Sequence, residues 1–301
     1  MKKLPIIVGI IILIIIGYFF FTRDSKETPP TTTTPPTPVA TTTPPVSTAT
    51  TTVDKSKTVI GTSVEGRDIV AYHFGTGEKE LLFVGGTHGG YSWNTPLVAY
   101  ELAAYLKANP TAIPADIMVT IIPVLNPDGL NRVVGTTSVF SAKDVSPVQT
   151  TVVAGRFNAN TVDLNRNFDC DWKAGGTWQN KAVSGGTAPF SEPESMALKT
   201  YVESKAIRGA VVWYSAAGGV YSSSCGSAIL PQTSALTSAY AKASGYPAHD
   251  DFTSYEVTGD MVNWLAKKNI PAISVLLTDH TNTEWTKNKA GIEAVLGYFA
   301  N

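Results

Sequence analysis

The chain has 301 residues, and its 23 Lys and Arg against 24 Asp and Glu leave a formal net charge of −1 at pH 7. Nucleic-acid binding requires a basic patch or stripe, so a near-neutral chain without a long run of one charge predicts no nucleic-acid partner. The sequence contains no internal repeat, which excludes a repeat architecture.

The N-terminus begins with Lys2 and Lys3 and continues as an almost unbroken apolar run from Leu4 to Phe21. The run approaches the ~20 residues that a helix needs to cross a bilayer. No small-residue cleavage site follows it, so we predict that residues 1–22 form an uncleaved signal anchor, with a cleaved signal peptide as the alternative. The two lysines favour a cytoplasmic N-terminus and an extracytoplasmic location for the rest of the chain.

A threonine- and proline-rich segment follows the apolar run. Its composition cannot bury enough apolar surface to fold, so we predict a disordered stalk over residues 23–57, whose hydroxyl groups could carry sugars. The remaining residues, 58–301, suffice for one large domain with its own core. The stalk is interpreted as a passive tether.

The globular part alternates apolar runs with segments of helical periodicity. Gly- and Pro-rich turns separate these segments, and such alternation predicts an α/β fold around a mainly parallel or mixed sheet, with functional sites at the strand ends. Residues 130–189 show little periodicity and are predicted to be a long functional loop. The predicted strands are Leu81–Thr87, Ile117–Leu125, Ala210–Tyr214 and Ala272–Leu277, and the predicted helices are Thr95–Lys107, Ser191 (as N-cap) to Lys205, Thr233–Ser244, Asp260–Lys268 and Lys287–Phe299.

The chain has two cysteines, Cys170 and Cys225. Outside the membrane two cysteines can pair, and a disulfide between them would close a loop of about 55 residues. Two free buried thiols are the alternative.

Several loop motifs follow strand ends in the globular part. They are Thr87-His88-Gly89-Gly90, Asn126-Pro127-Asp128-Gly129, Asp163-Leu164-Asn165-Arg166-Asn167-Phe168, Ser191-Glu192-Pro193-Glu194, and Tyr255 with Gly259 and Trp264. Their order and spacing resemble the carboxypeptidase A-like zinc metallocarboxypeptidases, a family of proteolytic hydrolases, and the resemblance covers about Val59 to Asn301. It implies an α/β fold in one domain, with a twisted mixed, mainly parallel sheet of about eight strands flanked by helices.

The resemblance also implies a zinc ion held by two histidines and a glutamate, with a second glutamate as general base. His88 matches the first histidine, but the glutamate position falls on Ser92, or on Tyr91 with strict spacing. The second histidine corresponds to Tyr214 and the general base to Leu276. A serine hydroxyl and a neutral phenol are poor zinc donors, so we expect the family's zinc to bind weakly or not at all. Loss of the base removes a further ~10²- to 10⁴-fold of rate.

The residues that hold substrate are retained. By resemblance, Asn165 and Arg166 grip the terminal carboxylate of the substrate, and Arg156 polarises the scissile carbonyl group. Tyr255 matches a mobile tyrosine that closes over the substrate, and Val262 faces the terminal side chain. Arginine suits these roles because its planar guanidinium binds a carboxylate through two hydrogen bonds.

Each assignment has a structural alternative. His88 could hydrogen-bond within its own glycine loop, and Arg166 could form an ion pair with Asp163 or Asp171. Tyr255 could be a packed core aromatic residue.

Three functions remain open from the sequence. The leading hypothesis is a membrane-anchored, catalytically impaired pseudo-peptidase that keeps a pocket for the terminal carboxylate of a peptide or cell-wall stem peptide. The first alternative is an active zinc carboxypeptidase or cell-wall peptide amidase, whose metal site would combine His88 with His280 or His249 and an aspartate. The second is a non-catalytic structural or adhesive domain on a stalk. Enzymatic activity is therefore an open question at this point.

Overall fold

The computed structural model describes residues 56–300, and its centre is an eight-stranded mixed sheet in the order β1-β2-β4-β3-β7-β10-β8-β9. Strands β4, β3, β7 and β10 run parallel to one another, and antiparallel strands β2 and β8 flank them. A separate two-stranded hairpin pairs β5 with β6. The strands are β1 (Lys57–Thr62), β2 (Asp68–Gly75), β3 (Lys79–Val84), β4 (Ile117–Ile122), β5 (Gly175–Trp178), β6 (Lys181–Ser184), β7 (Ile207–Ser215), β8 (Gly219–Ser222), β9 (Ala248–His249) and β10 (Ala272–Leu277).

The central parallel strands are buried on both faces, which explains their continuous apolar sequences. Alternate residues of β3 point to opposite faces, so Leu82 and Val84 join one hydrophobic cluster while Leu81 and Phe83 join the other. In the parallel register of β10 and β7, Leu276 lies opposite Tyr214. The sheet therefore places two of the sequence-predicted site positions side by side near the ends of adjacent strands.

Helices cover both faces of the sheet, which confirms the predicted fold class. The helices are α1 (Asn94–Ala108), α2 (Pro127–Val134), α3 (Gln149–Ala154), α4 (Pro193–Glu203), α5 (Pro231–Ser244), α6 (Met261–Lys267) and α7 (Trp285–Phe299). Helices α4 and α6 pack against the cluster that contains Leu82 and Val84, and α1, α5 and α7 pack against the cluster that contains Leu81 and Phe83.

Residues 130–189 contain more regular structure than the sequence predicted, because α3 and the β5–β6 hairpin lie within them. The Asn126-Pro127-Asp128-Gly129 segment, which the sequence analysis took as a loop motif, instead begins α2: the Asn126 side chain accepts a hydrogen bond from the Gly129 amide at 2.8 Å, and Pro127 occupies the first turn of the helix. The prediction that Ser191 is the N-cap of the helix now labelled α4 was wrong. Its hydroxyl donates to Glu192 Oε1 at 2.9 Å, and α4 begins after Glu192.

The predicted signal anchor and most of the predicted stalk lie outside the described residues, and β1 begins one residue before the boundary predicted for the globular domain. Within residues 56–300, no helix is long and apolar enough to cross a bilayer.

A disulfide bond joins Cys170 to Cys225, with their Cα atoms 5.8 Å apart, so the alternative of two free thiols is excluded. Cys170 follows the Asp163–Phe168 motif, and Cys225 follows β8. The backbone carbonyl of Cys170 also accepts a hydrogen bond from the Gly259 amide at 2.8 Å. The crosslink therefore anchors one end of the motif that carries Asn165 and Arg166.

Replacing both cysteines by serine should lower the free energy of unfolding by about 2–4 kcal/mol, because the crosslink no longer restricts a loop with a sequence separation of 55 residues in the unfolded chain. Urea denaturation of the variant and of the oxidised wild-type protein measures the difference. Equal midpoints and slopes would show that the disulfide does not stabilise the fold.

Candidate functional site

A cavity of about 230 Å³ opens at the carboxyl ends of β7 and β10. Eight of the nine site residues predicted from the sequence line it, which are His88, Arg156, Asn165, Arg166, Tyr214, Tyr255, Val262 and Leu276. The ninth, Ser92, is buried in the turn before α1 and does not reach the cavity wall. The fold thus brings residues from seven separate segments of the chain together in one place.

Asp163 and the 3₁₀ turn Leu164–Arg166 position the two residues expected to bind a carboxylate. The Asp163 side chain accepts a hydrogen bond from the Asn165 amide at 3.1 Å, which starts the turn. Arg166 is only 1% exposed, and its Nη1 donates to the Asn165 carbonyl at 3.0 Å. Within residues 56–300, neither Nε nor Nη2 of Arg166 has a hydrogen-bond partner. A buried guanidinium with two unpartnered donor atoms can bind an anion through both of them.

The alternative ion pair of Arg166 with Asp163 or Asp171 is absent from the described residues. Instead, Arg166 packs against the ring of Tyr255, with Cζ 5.5 Å from the ring centroid. Tyr255 is half-buried and lines the cavity, and its ring covers the guanidinium.

Gly259 holds the Tyr255 loop against the Arg166 turn. A Cβ atom at Gly259 would lie 2.2 Å from the Arg166 carbonyl oxygen, and its φ of +62° is in the left-handed region. Only glycine satisfies both constraints. The glycine of the sequence motif is thereby explained by the close approach of two backbone segments.

Asp163 also binds Arg156 and approaches His88. Arg156 Nε and Nη2 donate to Asp163 Oδ2 at 3.0 and 2.7 Å, and His88 Nε2 lies 3.4 Å from Asp163 Oδ1. The guanidinium of Arg156 stacks on Trp178, with Cζ 4.4 Å from the ring centroid. Arg156 is thus held by Asp163 and Trp178 on two sides, although it was predicted to polarise a substrate carbonyl.

Burial and charge set the protonation of these groups. Burial tends to raise the pKa of Asp163, but Arg156, His88 and Arg166 outweigh it and hold the pKa well below its usual value. Burial and the neighbouring Arg156 lower the pKa of His88 to about 4. At neutral pH the cluster therefore contains a charged Arg156–Asp163 pair and a neutral imidazole.

Tyr214 is joined to the cavity floor by a chain of hydrogen bonds. Its hydroxyl donates to Asn165 Oδ1 at 2.8 Å, and Asn165 Nδ2 donates to Asp260 Oδ2 at 2.8 Å. Asp260 Oδ1 in turn accepts from the Asn263 amide at 3.0 Å and so caps α6. Burial raises the pKa of Tyr214 well above its ordinary value and also raises that of Asp260. The phenol is therefore neutral.

The donor set at the expected metal position does not fit zinc. The ring nitrogens of His88 have no hydrogen-bond partner among residues 56–300, so this side chain could serve as one ligand. The other two ligand positions fail, because Ser92 lies outside the cavity and Tyr214 is a neutral phenol whose hydroxyl donates to Asn165. The general-base position holds Leu276, which has no polar atom. Catalytic zinc needs three strong N, O or S ligands.

The other histidines do not rebuild the site. His280 lines the cavity but packs edge-on against Tyr91, with ring centroids 4.6 Å apart. His249 is exposed on β9 and stacks on Tyr221. In the described part of the chain, ligand atoms of three His, Cys, Asp or Glu residues converge only at Cys170, Asp171 and Cys225, where both sulfur atoms belong to the disulfide.

Sequence reasoning missed one wall of the cavity. The β5–β6 hairpin contributes Trp178 and Gln179, and Tyr91 packs edge-on against Trp178 with ring centroids 4.9 Å apart. Gln179 and Asn180 form the turn with φ values of +47° and +61°. A two-residue turn with an asparagine between short strands was the available signal, but the glycines around it obscured the alternation.

A family model described as zinc carboxypeptidase matches residues 48–295. Among curated proteins, γ-D-glutamyl-L-diamino acid endopeptidase 1 of Lysinibacillus sphaericus is 25% identical over 219 residues, which cover 66% of this chain and 54% of the relative. The chain therefore spans about half the length of that relative.

Two solved structures share the fold. Murein-tripeptide amidase MpaA of Escherichia coli O157 has a TM-score of 0.55 at 20% identity and covers 81% of this chain and 91% of its own. Bovine thrombin-activatable fibrinolysis inhibitor has a TM-score of 0.63 at 17% identity and covers 81% and 87%. At these identities the likeness concerns the fold alone.

Replacing Arg156 by methionine should destabilise the protein by about 3–5 kcal/mol, because it leaves the Asp163 carboxylate buried without its partner. Adding Asp163→Asn should recover part of this loss. Chemical denaturation measures both effects. Lys267→Met, which breaks an exposed pair with Asp169, serves as the control and should cost at most about 1 kcal/mol. If Arg156→Met costs no more than the control, Asp163 does not depend on Arg156.

Proposed function

Because the chain belongs to the zinc carboxypeptidase family, we propose that it is a member that binds the terminal carboxylate of a peptide without cleaving the peptide. One observation carries the proposal. Arg166 is buried in the cavity with Nε and Nη2 unpartnered among the described residues, while the positions expected to hold zinc offer no adequate ligand set.

The cavity provides contacts for both the carboxylate and the side chain of a peptide's C-terminal residue. Nε and Nη2 of Arg166 donate two parallel hydrogen bonds to the carboxylate, and the Tyr255 ring covers the pair. Val262 and Leu276 line the same cavity and provide apolar contact for the terminal side chain. Each of these side chains is positioned by a different element, so a small ligand is contacted from several directions.

A cell-wall stem peptide is the ligand class that we favour. One relative is named as an endopeptidase for a γ-D-glutamyl-L-diamino acid bond, and one neighbour in fold is a murein-tripeptide amidase. The cavity contains the buried carboxylate of Asp260, and Asp251 lies in its wall. A ligand that carries both an amino group and a carboxylate could place the amino group beside the Asp260 carboxylate and the carboxylate against the Arg166 guanidinium.

Catalysis is impaired in this proposal because neither route to an activated water is provided. The donor set does not fit a Lewis-acidic metal, so an attacking water would keep the high pKa of bulk water. Leu276 cannot accept a proton at the position of the general base. Asp163 engages Nε and Nη2 of Arg156, which leaves only Nη1 of this cavity-lining side chain for a substrate carbonyl.

We further propose that the domain is extracytoplasmic and membrane-anchored. The apolar run of residues 4–21 behind two lysines supports an anchor, and the Thr- and Pro-rich segment supports a stalk. The disulfide supports an oxidising compartment.

The protein should bind the peptide acetyl-Ala-Ala-Val with a free carboxylate more tightly than the same peptide with a terminal amide. Arg166→Gln should weaken binding of the acid about 10- to 100-fold, because charge-assisted hydrogen bonds are lost. NMR titration of the full-length protein measures both affinities. Arg208→Gln, at an exposed arginine of β7, is the control and should change nothing. Equal affinity for acid and amide would instead favour a purely structural or adhesive domain.

Zinc analysis should find less than one tightly bound ion per chain after dialysis from excess zinc. The combined substitution Ser92→Glu, Tyr214→His and Leu276→Glu should restore a three-ligand set and a base, and one zinc per chain should then be retained. Atomic absorption on both proteins measures the ratio. One retained zinc in the wild-type protein would contradict the proposal and support an active metallopeptidase.

A further inference from the structure

Tyr214 stands where the family places a zinc-binding histidine, yet its hydroxyl makes a specific contact. It donates to Asn165 Oδ1 at 2.8 Å, and both side chains are buried, with 5% and 7% exposure. The phenol is placed by β7, whose neighbours β3 and β10 are fixed by parallel pairing. The contact therefore joins a rigid strand to the turn that carries Arg166.

This contact determines the orientation of the Asn165 amide. Asn165 Oδ1 accepts from the Tyr214 hydroxyl and, at 3.4 Å, from the Met261 amide, while Nδ2 donates to Asp260 Oδ2. A flipped amide would place its NH₂ group against two donors and its oxygen against a carboxylate. The three partners therefore permit one orientation.

The fixed orientation leaves one donor for a ligand. A primary amide has two N–H bonds, and Asn165 gives one of them to Asp260. The second has no hydrogen-bond partner among the described residues, and Asn165 lines the cavity beside Arg166. A carboxylate bound to Arg166 could accept this additional hydrogen bond.

We propose that Tyr214 is a positioning residue for carboxylate binding and acts by fixing the Asn165 amide, an inference that rests on the function proposed above. A phenol that merely filled the space of a lost histidine would not need its hydroxyl. The hydrogen bond gives the hydroxyl a role that phenylalanine cannot replace. Tyr214 thus preserves binding geometry in a site whose donor set does not fit zinc.

The test is a double-mutant cycle with Tyr214→Phe and Asn165→Ala in the full-length protein, titrated by NMR with acetyl-Ala-Ala-Val as the acid and as the amide. Tyr214→Phe should weaken binding of the acid about 3- to 10-fold, the value of one neutral hydrogen bond, and leave the amide unchanged. In the Asn165→Ala background it should have no further effect.

Tyr240→Phe provides a matched control. Tyr240 is a fully buried phenol that donates to Asn288 Oδ1 at 2.7 Å, outside the cavity. Both tyrosine variants should lower the melting temperature, but only Tyr214→Phe should change the ratio of acid to amide affinity. Equal weakening of acid and amide by Tyr214→Phe, or an undiminished effect in the Asn165→Ala background, would overturn the inference.

A second readout separates this inference from the proposed function. In Tyr214→Phe without ligand, the side-chain NH₂ protons of Asn165 should exchange with water faster than in the wild-type protein. If the wild-type protein does not bind the acid, the proposed function fails, whereas this exchange rate still reports whether Tyr214 fixes the amide. An unchanged exchange rate would overturn the positioning role.

Discussion

The buried carboxylate of Asp163 is the interaction on which the site depends. One oxygen accepts two hydrogen bonds from Arg156, and the other accepts the Asn165 amide and approaches His88. A buried charge is tolerated only when it is paired and hydrogen-bonded, so the positions of these groups are coupled. The turn that presents Arg166 begins at this carboxylate. Weakening the Asp163 cluster would therefore disturb both the charge balance and the ligand-binding turn.

The residues in and around the expected metal position have structural roles of their own. Arg156 supplies the positive charge that balances Asp163, and Tyr214 is hydrogen-bonded into the floor of the cavity. Among the described side chains that line the cavity, the buried polar atoms without a hydrogen-bond partner are the ring nitrogens of His88, Nδ1 of His280, and Nε and Nη2 of Arg166. A site whose other charged groups are paired, and whose buried Arg166 keeps two unpartnered donor atoms, is better suited to ligand binding than to catalysis.

Much of the fold was predictable because the central parallel strands are buried on both faces and read as continuous apolar runs. Strands β8 and β9 were not predictable, since they have only four and two residues and show no alternation. Asn165 and Arg166, which the sequence analysis took from the Asp163–Phe168 motif, both line one cavity. The partners of Arg156 and Tyr214 were not predictable, because they depend on side-chain conformations that bring together residues distant in the sequence.

A crystal structure of the protein, grown with excess zinc and a peptide that has a free terminal carboxylate, tests most directly whether the cavity binds the peptide without zinc and without cleavage. We expect the carboxylate to contact Nε and Nη2 of Arg166, the peptide to be intact, and the space beside His88 to contain no metal. A zinc ion bound to His88, or a cleaved peptide in the cavity, would contradict the central claim.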